Sequence, residues 1–351
     1  MNQQPASDRG RGTAMNPTGR FEPLDVEYEE EHRPRDVPTQ YYIDSTKSVL
    51  STNDSPDIGF NVSLNPYRGC EHGCAYCYAR PTHEYLGLSC GLDFETKIFV
   101  KPDAAKLLRQ ALSKKSWKPQ VIAFSGVTDP YQPVEKALGI TRQCLEVLAE
   151  FRNPVGIVTK NHLITRDIDI LGKLARHKCV SASISITTLD SKMAGRMEPR
   201  ASRPAKRLRA IEELSNAGIP VGVNVAPIVP GLTDHEMADI LKSAAAAGAR
   251  GAGYVLLRLP HGVKDLFPAW LEEHYPYRKE RVLSRIREMR NGALYHSEFG
   301  ERMTGTGTFA EHIAHTFATF KKRYGLEKPY EPLSTESFWN GVENQLALFQ
   351  Q

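Results

Sequence analysis

Beyond Phe60 the chain alternates short runs of β-branched residues with segments whose apolar positions recur every three or four residues. The runs fall at 121–125, 155–159, 180–188, 221–226 and 252–257. Between them, Leu107, Leu108, Ala111 and Leu112 form one apolar stripe, and Leu138, Thr141, Leu145 and Leu148 form another. Ile164, Ile168, Leu171 and Leu174 repeat the spacing, as do Leu208, Ile211 and Leu214. Residues three and four apart share a helix face, so each stripe predicts an amphipathic helix. Thr233 and Glu236 predict a capping box ahead of Met237, Ile240 and Leu241. Gly218 and Gly248 stand where a helix should stop before the next strand. The repeat is roughly thirty residues, the length of a βαβ unit, so a parallel α/β sheet or barrel is expected. About six units can be counted, fewer than the eight of a closed barrel.

Past Leu259 the alternation stops. Helical stretches near 270–290 and 298–324 then predict an extension over 261–335 that caps the open side, followed by a tail over 336–351. Residues 1–40 hold Gly, Pro, Arg and an acidic stretch at 27–31 without periodicity, and are expected to form a disordered arm. Tyr41, Tyr42, Ile43, Val49 and Leu50 are expected to pack on the body, which opens the core domain, 41–260.

With 40% hydrophobic and 25% charged residues, the 351-residue chain has material for a sizeable core. No apolar run approaches the roughly 18 residues of a membrane span. The N-terminus lacks the apolar segment of a secretory signal, so a cytoplasmic protein is expected. A net charge of +4 permits an anionic partner without demanding one. Of six cysteines, Cys70, Cys74 and Cys77 crowd into eight residues. That pattern does not fit a disulfide scaffold and, in a reducing compartment, points to a metal or cluster site.

The cysteine loop follows the predicted first strand, so it lies at the strand's C-terminal end, the active-site face of a β/α barrel. Three thiolates are one short of the four that saturate a [4Fe–4S] cluster, which leaves one iron open to a ligand. Gly69 and Gly73 relieve crowding where the backbone curls around the inorganic core. The alternative is a structural zinc site with His72 or His83 as fourth ligand. Against it, no second cysteine pair follows.

Cys-x3-Cys-x2-Cys with Tyr76 just before the last cysteine resembles the signature of the radical S-adenosylmethionine (SAM) superfamily. The resemblance implies an α/β fold, a partial (β/α)6 TIM barrel. It implies a [4Fe–4S] cluster on Cys70, Cys74 and Cys77, with SAM chelating the open iron and Tyr76 near its adenine. An electron from a donor such as flavodoxin or ferredoxin would then cleave SAM to a 5′-deoxyadenosyl radical that takes hydrogen from substrate. Ser125, Thr128 and Asp129, at the end of the second strand, would accept the amino group of SAM; the plainer reading is an Asp-Pro turn. Lys160 could meet a carboxylate or a phosphate. Ser183 and Ser185 share one face of the fourth strand and would suit a ribose, or simply form a satisfied polar face. Arg200, in Glu198-Pro199-Arg200, would bind SAM or substrate, against a surface ion pair.

Segments 65–80, 125–135, 198–208 and 226–234 narrow the resemblance to the group related to spore photoproduct lyase, over about residues 40–335. That group implies DNA, or another nucleic acid, as substrate. One departure matters. The lyase has a hydrogen-donating cysteine in the loop after the second strand, and here 124–128 contains none, Gly126 standing about where the thiol would be. Cys144 lies on a helix stripe and Cys179 opens a strand, so Cys90 on a Gly-rich loop is the candidate reactive thiol. Radical modification of a protein, peptide or small metabolite, and a non-enzymatic iron–sulfur or zinc module, are the alternatives. Arg9, Arg11 and Arg20 in the arm, with Lys206, Arg207 and Arg209, could contact phosphates or be solvated. In the tail, Gln345, Leu346, Leu348 and Phe349 resemble the peptide by which bacterial repair proteins attach to the DNA sliding clamp; fraying or docking on its own domain is the plainer reading.

Overall fold

The β-branched runs form the strands and the striped segments the helices, in a computed structural model that describes residues 10–21, 37–327 and 332–340. The strands are β1 (Gln40–Ile43), β2 (Leu50–Thr52), β3 (Val62–Leu64), β4 (Tyr67–Arg68), β5 (Lys97–Val100), β6 (Ile122–Phe124), β7 (Val155–Thr159), β8 (Val180–Ser185), β9 (Val221–Ile228) and β10 (Ala252–Leu256). One sheet runs β10-β9-β8-β7-β6-β3-β2. Its six central strands, β3 and β6 to β10, are parallel to their neighbours, and β2 adds an antiparallel edge. This is the partial (β/α)6 barrel. Among the described residues no helix is long and apolar enough to cross a membrane.

Side-chain parity divides the sheet into two unlike faces. Ile122, Phe124, Val155, Ile157, Val180, Ala182, Ile184, Val221, Val223 and Val225 join one core with Leu145 and Leu148 of the helix Ile140–Phe151, Leu171 of Ile168–Arg176 and Ile211 of Pro204–Asn216. The opposite face carries in-register rows of small residues. Ser63, Ala123, Gly156 and Ser181 form one; Val158, Ser183 and Gly222 another; Ser185, Asn224 and Gly253 a third. A closed barrel fills its interior with Val, Ile and Leu. Here nothing on the inner rows exceeds valine, so the barrel keeps a lumen.

The C-terminal extension packs over the strand ends. Phe267, Trp270 and Leu271 of the helix Val263–His274, with Val282, Leu283 and Ile286 of Pro276–Glu288, share a second core with Cys74, Ala75 and Tyr76. The stretch read as one helix near 270–290 is two, because Pro276 cannot continue the first and instead opens the second. The helix read over 298–324 begins only at Gly307 (Gly307–Arg323). The capping box does not form. Thr233 Oγ1 accepts from the backbone N–H of Val229 at 2.9 Å, while Glu236 accepts from Thr188 Oγ1 at 2.6 Å and Leu189 N–H at 2.7 Å. The two side chains tie neighbouring strand loops together instead of closing a helix end.

A small second sheet, β1-β5-β4, flanks the cysteine loop. Its β1 is an exposed edge: Tyr41, Tyr42 and Ile43 are 51%, 41% and 76% exposed, contrary to the expected packing, although Val49 is buried. Part of the arm is also unlike its expectation. Gly10–Phe21, placed in the sequence in a disordered arm, lies against the cysteine loop, with Arg11 and Thr13 buried. Gly12 is so close to the loop that a Cβ there would sit 1.5 Å from the carbonyl oxygen of Gly73. The rest of the arm, 1–9 and 22–36, falls outside the described residues, as does 341–351 with the clamp-like Gln345, Leu346, Leu348 and Phe349. The described end of the tail docks on the barrel, Trp339 N–H donating to Phe151 O at 2.9 Å.

Candidate active site

The cysteine loop leaves β4 and returns through a short helix to β5, so both ends are pinned. Cys70 N–H donates to Phe94 O at 2.9 Å, and Ala75 N–H donates to Met197 O at 3.0 Å. Beneath the loop lies a fully buried ion pair, Arg80 with Glu95 at 3.0 Å. Arg80 Nε also donates to the carbonyl of Cys74 at 2.9 Å and Nη1 to that of Gly91 at 2.7 Å, so one guanidinium holds the middle cysteine's backbone in place. Glu95 faces the arm as well: its carboxylate accepts from Gly12 N–H at 2.9 Å and from Thr13 Oγ1 at 2.9 Å. Neither residue carried a sequence signal, since an arginine three places after a cysteine has no periodic or compositional mark.

Cys70 and Cys74 are buried, Cys77 is half-buried, and all three are free thiols. Their sulfurs are near enough to interact electrostatically, yet they do not gather as ligands of one ion. In a tetrahedral zinc site with Zn–S bonds near 2.3 Å, sulfurs lie about 3.8 Å apart. Among the described residues, a group of three ligand atoms all within 4.8 Å occurs only at His296, Glu298 and Glu301. Of the histidines of the zinc alternative, His72 Nδ1 faces Asp129 at 3.4 Å, while His83 Nε2 is bonded to Lys97 O at 2.9 Å and its buried Nδ1 has no partner among the described residues. Burial pushes all three thiols upward, so the loop without metal favours the neutral form, and any metal bound there would have to replace the protons. A wide triad of thiols on a curled loop fits a polynuclear cluster and does not fit a single zinc ion.

Glycine is required at position 73. Its φ is +66°, and a Cβ would meet Glu95 Oε2 at 2.4 Å. Gly73→Ala is therefore expected to cost about 2 kcal/mol or more, from overpacking and the left-handed backbone together. Denaturant melts of the two proteins, with iron content after reconstitution, check this; an unchanged midpoint would sink it.

The loop after β6 holds the three residues expected to bind the SAM amino group. Ser125 and Gly126 take φ of +135° and +130°, and for serine such backbone is strained, a mark of functional loops. Ser125 Oγ makes one long bond, to Thr128 O at 3.2 Å. Thr128 and Asp129 have structural partners. Thr128 Oγ1 donates to Tyr67 O at 3.2 Å. Asp129 accepts from Thr159 Oγ1 at 2.7 Å, Lys160 N–H at 2.8 Å and Tyr131 N–H at 2.9 Å, and faces His72. Burial would raise its carboxyl, but His72 and these donors hold it below its ordinary range. Asp129 thus ties the cysteine loop to β7.

Tyr76 lies in a buried web of charge. Its hydroxyl bonds to Glu198, which pairs with Arg207 and, at 3.2 Å, with Lys160. Thr187 Oγ1 donates to Glu198 at 2.8 Å, and Lys160 Nζ donates to Ala226 O at 2.9 Å. The carboxylate that Lys160 meets is thus its own chain's. Burial alone would raise the Glu198 carboxyl; Arg207 and Lys160 outweigh it and hold the group well below the usual carboxylate range. Arg200 is not free: it donates to Thr39 Oγ1 at 3.0 Å and lies 3.5 Å from Glu71, fastening the end of the arm to the cysteine loop. Ser183 and Ser185 lie on the inner rows as expected, facing the lumen beside Gly222 and Asn224.

The remaining cysteines are remote from this chemistry. Cys90, expected as the reactive thiol, is fully buried, and burial with Glu84 nearby pushes it up to about 12. It packs so tightly under Gly262 that a Cβ there would lie 2.6 Å from its sulfur. It is a core thiol, and Cys144 and Cys179 are buried too. The backbone at Gly126, where the donor thiol would stand, accepts a 2.6 Å hydrogen bond from Tyr78 through its carbonyl.

An open parallel barrel, a three-thiol loop at its strand ends and a free lumen define a class, and the chain belongs to it: the Radical SAM superfamily model matches residues 64–244. Enzymes of this superfamily use a [4Fe–4S] cluster and SAM, and membership of it supports SAM-dependent radical chemistry. An uncharacterized protein of Mycobacterium tuberculosis is 33% identical over 307 residues, covering 86% of each chain. The radical SAM Nalpha-GlyT isomerase of Pseudomonas phage M6 is 28% identical over 245 residues, covering 69% of this chain and 48% of the phage protein. Spore photoproduct lyase complexed with dinucleoside spore photoproduct superposes with a TM-score of 0.59 at 15% identity, covering 81% of this chain and 79% of the lyase. At that identity the likeness is one of fold.

Proposed function

We propose that Cys70, Cys74 and Cys77 hold the cluster and that the enzyme acts on a base of DNA or another nucleic acid. The observation that carries the cluster assignment is the thiol triad, two buried and one half-buried, whose sulfurs do not all lie within 4.8 Å of one another. When bound, cluster and SAM supply hydrogen-atom abstraction, and the protein positions and shields the reactants. Arg80 and Glu95 set the loop, Asp129 locks it to β7, and the Glu198 web orients Tyr76 on the lumen side. The small inner rows leave room for a flat, polar reactant, with Ser183, Ser185 and Asn224 as hydrogen-bonding groups.

The nucleic-acid substrate is supported by one name among the structural neighbours, a lyase complexed with a dinucleoside photoproduct. The lyase's thiol-donor route does not transfer, because the described cysteines outside the triad are all buried in packing positions. An external one-electron donor, of the flavodoxin or ferredoxin kind, and the reducing cytoplasm complete the reading. The test is anaerobic: reconstituted enzyme, dithionite and SAM, with 5′-deoxyadenosine measured with and without single-stranded DNA. The expected result is several-fold more 5′-deoxyadenosine with DNA. Cleavage that DNA leaves unchanged would move the substrate to a protein, peptide or small metabolite.

A further inference from the structure

At the barrel mouth two guanidiniums have no carboxylate in ion-pair contact among the described residues. The chain beyond β10 brings Arg258 to the strand ends, its guanidinium carbon 5.3 Å from the ring centre of Tyr78, the residue directly after Cys77. The Nε of Arg258 is buried and has no hydrogen-bond partner among the described residues. Its Nη1 finds only the thioether of Met303, at 3.3 Å. Beside it, Arg290 is buried and donates to two carbonyls, Glu301 O at 2.9 Å and Leu257 O at 3.1 Å. Burial, with Arg258 adding to it, pushes Arg290 down to about 10. The nearby acids, Asp57 beside Arg258 and Glu301 beside Arg290, act on them only through space and make their close contacts with other groups. Asp57 pairs with Arg302 and accepts from Gly300 N–H at 2.7 Å, while the Glu301 carboxylate faces His296 at 3.5 Å.

A charge taken from water without an ion-pair partner is destabilising, so a buried Arg290 beside a half-buried Arg258, neither in contact with a carboxylate among the described residues, favours an anion at this spot. The guanidinium of arginine presents donors that match the oxygens of a phosphate, and Arg258 as a whole is only half-buried. Tyr78 frames the same spot: it is 48% exposed, stacked against Arg258 and fixed by its hydroxyl to Gly126.

We propose that Arg258, backed by Arg290, is the substrate-anchoring anion site of this enzyme and takes a backbone phosphate of the nucleic acid. The inference rests on the nucleic-acid reading above and adds the residue that grips the strand. SAM's carboxylate is the other anion that reaches this mouth, and the experiment separates the two. Reconstituted wild type, Arg258→Gln and Arg258→Lys are titrated anaerobically with a fluorescein-labelled single-stranded oligonucleotide across a salt series, and with SAM by equilibrium dialysis. Arg258→Gln is expected to weaken oligonucleotide binding about tenfold or more and to lower the slope of log affinity against log salt by about one. Arg258→Lys keeps the slope while losing part of the affinity, and SAM binding is unchanged in both. Equal oligonucleotide affinity in wild type and Arg258→Gln would overturn the inference and leave the nucleic-acid reading standing. Loss of SAM with the oligonucleotide retained would assign the site to SAM instead. A wild type that binds no oligonucleotide defeats the nucleic-acid reading itself, and the phosphate assignment with it. Should Arg258→Gln fail to fold, the Arg258→Lys affinity and slope carry the test alone.

Discussion

Cys74→Ala is expected to abolish iron binding and SAM cleavage together while leaving the barrel folded. The loop's path does not depend on the sulfur. Arg80 grips the carbonyl of Cys74, Ala75 is tied to Met197, and the Arg80–Glu95 pair lies beneath both. Removing the thiolate therefore deletes a ligand without collapsing the loop. Loss of an outer partner of a metal ligand already costs 10–100-fold, so loss of a ligand itself should lower 5′-deoxyadenosine formation on the order of 100-fold or more. Iron and sulfide content after reconstitution, the visible absorption of the cluster and product formation should fall in parallel. Cys90→Ala is the matched control. Its thiol is buried in packing, so cleavage should stay at the wild-type level even if stability falls. A Cys74→Ala protein that kept its iron and its cleavage would dismiss the triad.

The second large effect concerns stability. Arg207→Met is expected to destabilise the fold by about 3–5 kcal/mol, because it leaves the Glu198 carboxylate buried without its main counter-charge. Lys160 remains, at 3.2 Å, and sets the low end of that range. Adding Glu198→Gln should recover much of the loss, since the charge that needed a partner is then gone. Denaturant midpoints of the two single variants and the double variant give the coupling directly. The pH dependence follows from the same pair. The folded-state carboxyl of Glu198 is depressed, so its contribution is fully present above the ordinary carboxylate pKa, about 4.3, and is lost as pH falls below that value. Wild type should thus lose stability on acidification through a term that the double variant lacks. Identical acid limbs in the two proteins would refute the assignment.

How much of this could be read in the residues alone differs from element to element. The six parallel strands and the helices between them came through because hydrophobic period reports burial directly, and burial is what a barrel strand and its covering helix share. The thiol triad came through because three cysteines in eight residues have few structural excuses. Inward placement of Ser183 and Ser185 followed from strand parity. Other features depend on distant partners and leave no local trace. The order of Gly10–Phe21 is imposed by Glu95, and Arg200 is held by Thr39 and Glu71. A strand of two residues, β4, is too short to have a period. Thr233 and Glu236 matched a capping pattern, but the loops beside them offered Val229, Thr188 and Leu189 as alternative partners. For Asp129, chemistry and position suggested a cofactor ligand, while the geometry shows a residue already surrounded by four groups of its own chain.

The strap formed by Gly10–Phe21 sets an order of events during translation. Residues 11 to 13 are made well before the carboxylate that holds Gly12 and Thr13, which belongs to Glu95. At the other end of the arm, Thr39 waits for Arg200. The nascent chain must therefore synthesise the whole cysteine loop, and more than half the barrel, before the strap has both of its anchors. The strap can lie across the backbone at Gly73 only on a cysteine loop that is already complete.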